Sequence, residues 1–186
     1  MFIEPAKPVT VEELLQGLIV QSGNDAAIAL AEAVAGSEPV FATQMNAEAT
    51  RMGLTSTHFS NATGLPDREH YSTARDLAKL AQAVIRDFPE YYTTYSRKEY
   101  TYNRITQPNR NRLLWLDPTV DGVKTGFTEN AGYCLIASSK RSARRLISVV
   151  LGADSDSMRA QESQRLLNHG FLNFDAVRVH EKNQVV

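Results

Sequence analysis

Residues 120–151 read VDGVKTGFTENAGYCLIASSKRSARRLISVVL, and they decide the fold class. Tyr133-Cys134-Leu135-Ile136-Ala137 and Leu146-Ile147-Ser148-Val149-Val150-Leu151 are apolar runs of strand length, rich in β-branched residues. The basic connection from Lys140 to Arg145 is short enough to join them as an antiparallel hairpin. Asp121-Gly122 marks a turn, and Val123-Lys124-Thr125-Gly126 leads from it into the strand region. Just upstream, Tyr100 and Tyr102 alternate with polar residues before Asn103-Arg104, the pattern of a further short hairpin. Downstream, a last helix after Ser157 carries Leu166, Leu167 and Phe171.

The remaining N-terminal half is helical. Thr10 followed by Glu13 is a capping box, and Leu14, Leu15, Leu18 and Ile19 then recur at helical spacing. The pattern breaks at Gln21-Ser22-Gly23-Asn24-Asp25, resumes at Ala26 and ends near Gly36. Pro39 suits the first turn of a helix that runs to Gly53, a residue suited to the left-handed position past a helix end. Residues 54–71, with Asn61, Gly64, Pro66 and Asp67, read as a loop. Ser72 can cap the next helix, whose buried face is Leu77, Leu80, Ala81, Val84 and Ile85. Helices segregated from an antiparallel sheet give an α+β class. No repeat or linker divides the chain.

Composition narrows function by exclusion. In 186 residues, Lys+Arg is 20 and Asp+Glu is 21, a formal net charge of -1, so no global basic field gathers nucleic acid and no acidic excess signals disorder. One cysteine, Cys134, rules out an internal disulfide framework or a multi-cysteine zinc site; within an apolar strand it reads as an inert core thiol. His58, His70, His169 and His180 are scattered, with no pair at metal-ligand spacing. No apolar run reaches the ~18 residues of a membrane-spanning helix. Asn61-Ala62-Thr63 matches a glycosylation pattern but reads as an ordinary loop. The cluster from Lys140 to Arg145 reads as a solvated hairpin turn rather than a polyanion patch.

Two short motifs carry chemistry. Ser22-Gly23-Asn24 puts a hydroxyl and an amide on a corner between helices. Lys124-Thr125-Gly126 puts a cation at a strand, followed by a glycine that lets a ligand backbone approach closely. A hydroxyl can relay a proton, an amide can hold a carbonyl, and a lysine supplies charge. Each motif alone is weak; an S-x-N in a helical region about one hundred residues before a K-T-G at a strand is a more specific combination.

With these motifs the chain resembles the low-molecular-mass penicillin-binding proteins of the D-alanyl-D-alanine carboxypeptidase family. Further family-like runs are Met1-Phe2-Ile3-Glu4-Pro5, Gln21 to Ala26, Thr57-His58-Phe59 with Gly64-Leu65, Asn109-Arg110-Asn111 with Leu113-Leu114-Trp115, and Val120 to Gly126. The resemblance covers residues 1–178 as a partial penicillin-binding domain, with 179–186 beginning a linker to a further domain. It implies the α+β penicillin-binding, β-lactamase-like fold: an antiparallel sheet with covering helices beside a helical lobe. It also implies a serine-type hydrolase of cell-wall remodelling, without metal or organic cofactor. The substrate would be a peptidoglycan stem peptide ending in D-Ala-D-Ala, attacked by a serine to give an acyl-enzyme that water hydrolyses; β-lactams would mimic that terminus.

Carried over residue by residue, the resemblance has Ser22 relaying protons, Asn24 positioning the substrate amide, and Lys124 supporting the proton network and substrate charge. Thr125 and Gly126 would hold the substrate along the strand edge, and Arg159 would engage its carboxylate through the guanidinium fork. Arg110 matches another family arginine near the site. One departure stands out: the acylated serine of the family lies in S-x-x-K, and no serine here has lysine three residues later. The expectation is therefore a fragment, inactive alone, with Met1 an interior methionine and the N-terminal part of the fold missing; a naturally short, catalytically dead muropeptide-binding module is the alternative. A D,D-endopeptidase is the alternative within the same fold. The family's setting is the periplasm or the outer face of the bacterial inner membrane, with membrane contact only through a C-terminal anchor, and without nucleic acid.

Overall fold

The structure, a computed structural model, describes residues 1–177. The expected linker from residue 179, and His180, lie outside them. Helices α1 (Val11–Gln21), α2 (Asn24–Ala35) and α3 (Glu38–Arg51) open the chain, and a loop leads to α4 (Ala74–Asp87) and the short α5 (Pro89–Tyr92). A 3-10 turn at Thr93–Ser96 precedes the hairpin β1 (Glu99–Tyr102) and β2 (Ile105–Pro108). Then come the single-turn α6 (Leu113–Leu116), strands β3 (Val120–Thr128), β4 (Gly132–Arg141) and β5 (Arg144–Ala153), and α7 (Asp156–Asn173).

Local chemistry sets most boundaries. The Thr10 hydroxyl accepts from Glu13 N at 3.2 Å while the Glu13 carboxylate accepts from Thr10 N at 2.8 Å, so two orphan donors of α1 are satisfied at once. The cap of α4 is Thr73 rather than Ser72: Thr73 Oγ1 accepts from Asp76 N at 3.2 Å, and the Ser72 hydroxyl is instead bonded to Thr57 at 2.9 Å. Ser155, not Ser157, caps α7, accepting from Met158 N at 3.1 Å. Leu166 is 47% exposed, and the buried stripe of α7 is Ala160, Ser163, Leu167 and Phe171.

Strands β3, β4 and β5 form one antiparallel sheet in that order. Asp121-Gly122 is not a turn: it lies inside β3, where the register shifts between Val120 and Gly122. Glycine is required there by space, since a Cβ at Gly122 would sit 2.5 Å from the Tyr92 hydroxyl, which donates to Asp121 at 3.0 Å. The basic connection is also mostly ladder. Lys140 pairs with Arg145 and Arg141 with Arg144, leaving Ser142 and Ala143 as the turn. Its arginines are engaged rather than solvated: Arg141 bonds Asp117 at 3.0 Å, Arg144 bonds Phe171 O at 2.8 Å, and Arg145 bonds Asp121 at 2.7 Å.

The sheet has a core on each face. Leu135, Ala137 and Val120 pack with Leu113 and Leu114 around α6 and with Ala160 and Leu167 of α7. Val123, Ile136 and Ile147 pack with Ala81, Val84 and Ile85 of α4 and with Tyr92. A third core, with Leu14, Leu18, Ala26 and Leu30, holds α1 and α2 together and takes in Tyr102 of β1. Polar ties connect this helical lobe to the β1–β2 hairpin and the segment before it: Gln21 Nε2 donates to Pro108 O of β2 at 3.0 Å, and Arg97, just before β1, donates to Gln16 at 3.2 Å. The C-terminal end of α1 is thereby held against the β1–β2 hairpin. Among the described residues, β3 and β5 each have only one strand partner, β4, and the outer side of β3 borders a cleft.

Candidate active site

Ser22 stands where α1 ends and α2 begins. Its backbone is left-handed (φ 56°, ψ 43°), with Ser22 N donating to Leu18 O and Gly23 N donating to Gly17 O, each at 3.1 Å. That position ordinarily selects glycine, because a Cβ there costs roughly 1–2 kcal/mol. The neighbour that is glycine, Gly23, answers a different demand. A Cβ on it would meet the Asp25 carboxylate at 2.9 Å and Met1 N at 3.2 Å, so the middle of S-x-N has no room for a side chain. Asp25 holds this corner by accepting from Ile3 N at 2.9 Å and from the Met1 ammonium at 3.0 Å.

Across the gap, Lys124 Nζ donates a short hydrogen bond to Ser22 Oγ and a second bond, 2.9 Å long, to its neighbour Thr125 O. These residues are 102 positions apart in sequence. Among the described residues no carboxylate pairs with the ammonium. Burial, and behind it the charges of Arg110 and Arg159, depress the lysine from its ordinary 10.5 to about 8. Asn24 is exposed as the first residue of α2, and its side-chain amide has no partner among the described residues.

The two arginines differ sharply. Arg159 is 5% exposed and its fork is consumed: Nη1 donates to Gly126 O at 3.1 Å and Cys134 O at 3.5 Å, while Nη2 donates to Arg110 O at 3.4 Å and Asp156 at 2.5 Å. Arg110 is exposed, and its guanidinium has no partner among the described residues. The flanking asparagines explain its outward direction. Asn109 Nδ2 donates to Arg97 O at 2.9 Å, and the buried Asn111 donates to Gly122 O at 3.1 Å, pinning the loop on either side.

Ser22, Asn24, Arg110, Lys124, Thr125, Gly126 and Arg159 all line one cleft of about 1380 Å³. Its far wall comes from the loop before α4, which the motifs did not single out. There Asn61 Oδ1 accepts from Gly64 N at 2.7 Å and its Nδ2 donates to Leu65 O at 3.0 Å, so the amide of the glycosylation-like triplet shapes the loop. Phe127 and Tyr133, with ring centroids 4.3 Å apart, complete the mouth beside Lys124-Thr125-Gly126. Cys134 is not a core thiol: it is half-buried and lines the cleft opposite Gly126. Among the described residues no three His, Cys, Asp or Glu side chains gather to hold a metal.

Residues 1–155 match the D-alanyl-D-alanine carboxypeptidase family of peptidases. The chain belongs to that family. It is 52% identical over 178 residues to the D-alanyl-D-alanine carboxypeptidase DacC of Escherichia coli K12, covering 95% of this chain and 44% of that protein. It is 40% identical to DacF of Bacillus subtilis over 191 residues, covering 100% of this chain and 49% of the relative. The chain thus spans about half the length of the curated relatives it matches. Penicillin binding protein 5 of Haemophilus influenzae superimposes with a TM-score of 0.92 at 48% identity, over 94% of this chain and 52% of that one. The Listeria monocytogenes penicillin-binding protein D2 in its ampicillin-bound form gives a TM-score of 0.82 at 34% identity, over 88% of this chain and 68% of that one. The α+β architecture of this family member is therefore the penicillin-binding fold.

Proposed function

We propose that this chain supplies the substrate cleft of a serine-type D-alanyl-D-alanine carboxypeptidase, which removes the terminal D-alanine of peptidoglycan stem peptides in the bacterial periplasm. The observation that carries the reading is the hydrogen bond from Lys124 to Ser22 within the cleft, where S-x-N and K-T-G meet. Ser22 and Lys124 pass protons between attacking and leaving groups, a task suited to a lysine whose pKa is near 8. The open amide of Asn24 holds a substrate carbonyl. The outer edge of β3 at Thr125 and Gly126 receives the peptide as an added strand. At Gly126 the nearest atom to a would-be Cβ is 3.7 Å away, on Cys134, so the ligand backbone has room.

Direct contact with the substrate carboxylate passes to Arg110, whose fork is open, and Arg159 becomes the brace that holds Gly126 and Arg110 in place. The same cleft takes β-lactams, in keeping with the ampicillin-bound Listeria relative. The serine acylated in this family is that of S-x-x-K, which these 186 residues do not contain. Turnover is accordingly measured in a protein of the relatives' length. There, Arg110→Ala should lower kcat/KM by about 2–5 kcal/mol for peptides ending in a free D-alanine carboxylate and barely affect the C-terminal amides. Equal losses on acid and amide would remove Arg110 from the carboxylate subsite, while absence of D-alanine release from the unmutated protein would remove the function itself.

A further inference from the structure

Three features of Ser22 exceed what a proton relay needs. Its left-handed backbone at the corner of two helices is fixed by two hydrogen bonds from consecutive N–H groups, to Leu18 O and Gly17 O. Its Oγ is bonded to a lysine that has no carboxylate partner among the described residues and that burial lowers to about 8, so the uncharged amine is an accessible form. The hydroxyl also borders a cleft of about 1380 Å³, large enough for an acyl donor, whose lining includes Asn24 and Arg110, both with side-chain donors that have no partner among the described residues. An activatable hydroxyl, a base in contact with it and donors for a developing oxyanion are the parts of a serine–lysine acyl-transfer site.

We propose that Ser22 and Lys124 form such a couple within this chain, hydrolysing small activated esters with Ser22 as the acyl acceptor. Ser22 Oγ attacks the ester carbonyl carbon as its proton passes to the neutral Lys124 Nζ. The tetrahedral oxyanion collapses, the carbon–oxygen bond to the leaving group breaks, the leaving oxygen departs with the electron pair, and the Lys124 ammonium gives up its proton to that oxygen or to solvent, so that Nζ is neutral again. A solvent water then attacks the acyl-serine, giving a proton to Nζ, and Ser22 Oγ leaves with its pair and is reprotonated. No oxidant, metal or further reactant enters. This activity is independent of the S-x-x-K serine and of stem-peptide recognition.

The charged groups around Lys124 set its pH dependence. Arg110 from the loop before α6 and Arg159 from α7 both oppose the ammonium, and Asp156 is committed to Arg159 at 2.5 Å and to Arg112 at 3.4 Å. Asp67, Arg68 and His70 line the far wall of the same cleft. Lysine must be neutral to act, so the rate rises with pH through about 8 and then levels.

The test uses p-nitrophenyl acetate and the 186-residue chain, with p-nitrophenolate release and peptide-mapped acetyl transfer as readouts. Ser22→Gly is the decisive variant, because glycine suits the left-handed backbone and so removes the hydroxyl without straining the fold. The expected result is a saturable rate at least about tenfold above that of Ser22→Gly, with acid-quenched acetyl on Ser22. Lys124→Arg, always charged, should lose the same factor. Arg110→Gln should move the pH midpoint upward, because one charge opposing the ammonium is gone. An undiminished rate in Ser22→Gly, or acetyl mapped to lysine amines or Cys134 with none on Ser22, would overturn the proposal.

Discussion

Lys124→Met should give a protein that is more stable at pH 7 and inert at Ser22. The charged ammonium is held where burial and two guanidinium groups disfavour it, which lowers the lysine from 10.5 to about 8. Between those values the unfolded chain keeps a proton that the folded chain has released. Stability from this group therefore rises as pH climbs from about 8 to 10.5, and is least below about 8, where the folded state must carry the charge. At about 1.4 kcal/mol per pH unit, the penalty below pH 8 is roughly 3 kcal/mol. Methionine keeps the apolar stem and removes the charge. It also deprives Ser22 Oγ and Thr125 O of a donor, a loss of about 1 kcal/mol each if water does not replace it. The net gain at pH 7 should be about 1–2 kcal/mol by urea denaturation. Repeating the measurement near pH 10 should find the two proteins converging, since the wild-type penalty fades. A variant less stable than wild type at pH 7, with parallel pH profiles, would mean that the lysine is an ordinary structural donor.

Arg159→Ala should be the most damaging change in the cleft. The guanidinium joins three carbonyls from three segments, Gly126 of β3, Cys134 of β4 and Arg110 before α6, and it pairs with Asp156. Alanine leaves those carbonyls without this donor and Asp156 without a partner. Breaking a buried ion pair costs about 3–5 kcal/mol, and because the Asp156 side chain is 38% exposed and can be solvated, the low end is expected. Arg159→Lys should recover only part, because an ammonium cannot span three acceptors in a plane. In a protein of the relatives' length, the activity loss should be equal on acid and amide peptides, opposite to Arg110→Ala. A loss confined to acid peptides, with stability unchanged, would return Arg159 to direct carboxylate contact.

The proposed exchange of roles between Arg110 and Arg159 marks what sequence could and could not carry. The β4–β5 hairpin was legible because its apolar runs are long and β-branched, and α1 because Thr10 and Glu13 form a complete capping box. Ser22, Asn24 and Lys124 were legible as short motifs, although their meeting across 102 residues is a property of packing. Adjacent residues with equal local credentials were not separable. Ser72 and Thr73 can both cap a helix, and only the bond from Ser72 to Thr57 assigns them. Asp121-Gly122 carries turn chemistry, but the glycine is needed to clear the Tyr92 hydroxyl. Cys134 sits in an apolar run at a sheet face that turns out to border the cleft. The difference between Arg110 and Arg159 rests on which guanidinium the backbone carbonyls consume, and no local pattern encodes that.

The proposed function rests on Ser22 and Lys124 forming a proton-transfer couple rather than a structural contact. Its most direct test is an NMR titration of the Lys124 side chain, with Lys124→Arg identifying the resonance. A midpoint near 8, moving upward in Arg110→Gln, is the result predicted. A midpoint at the ordinary 10.5, indifferent to Arg110, would contradict the account.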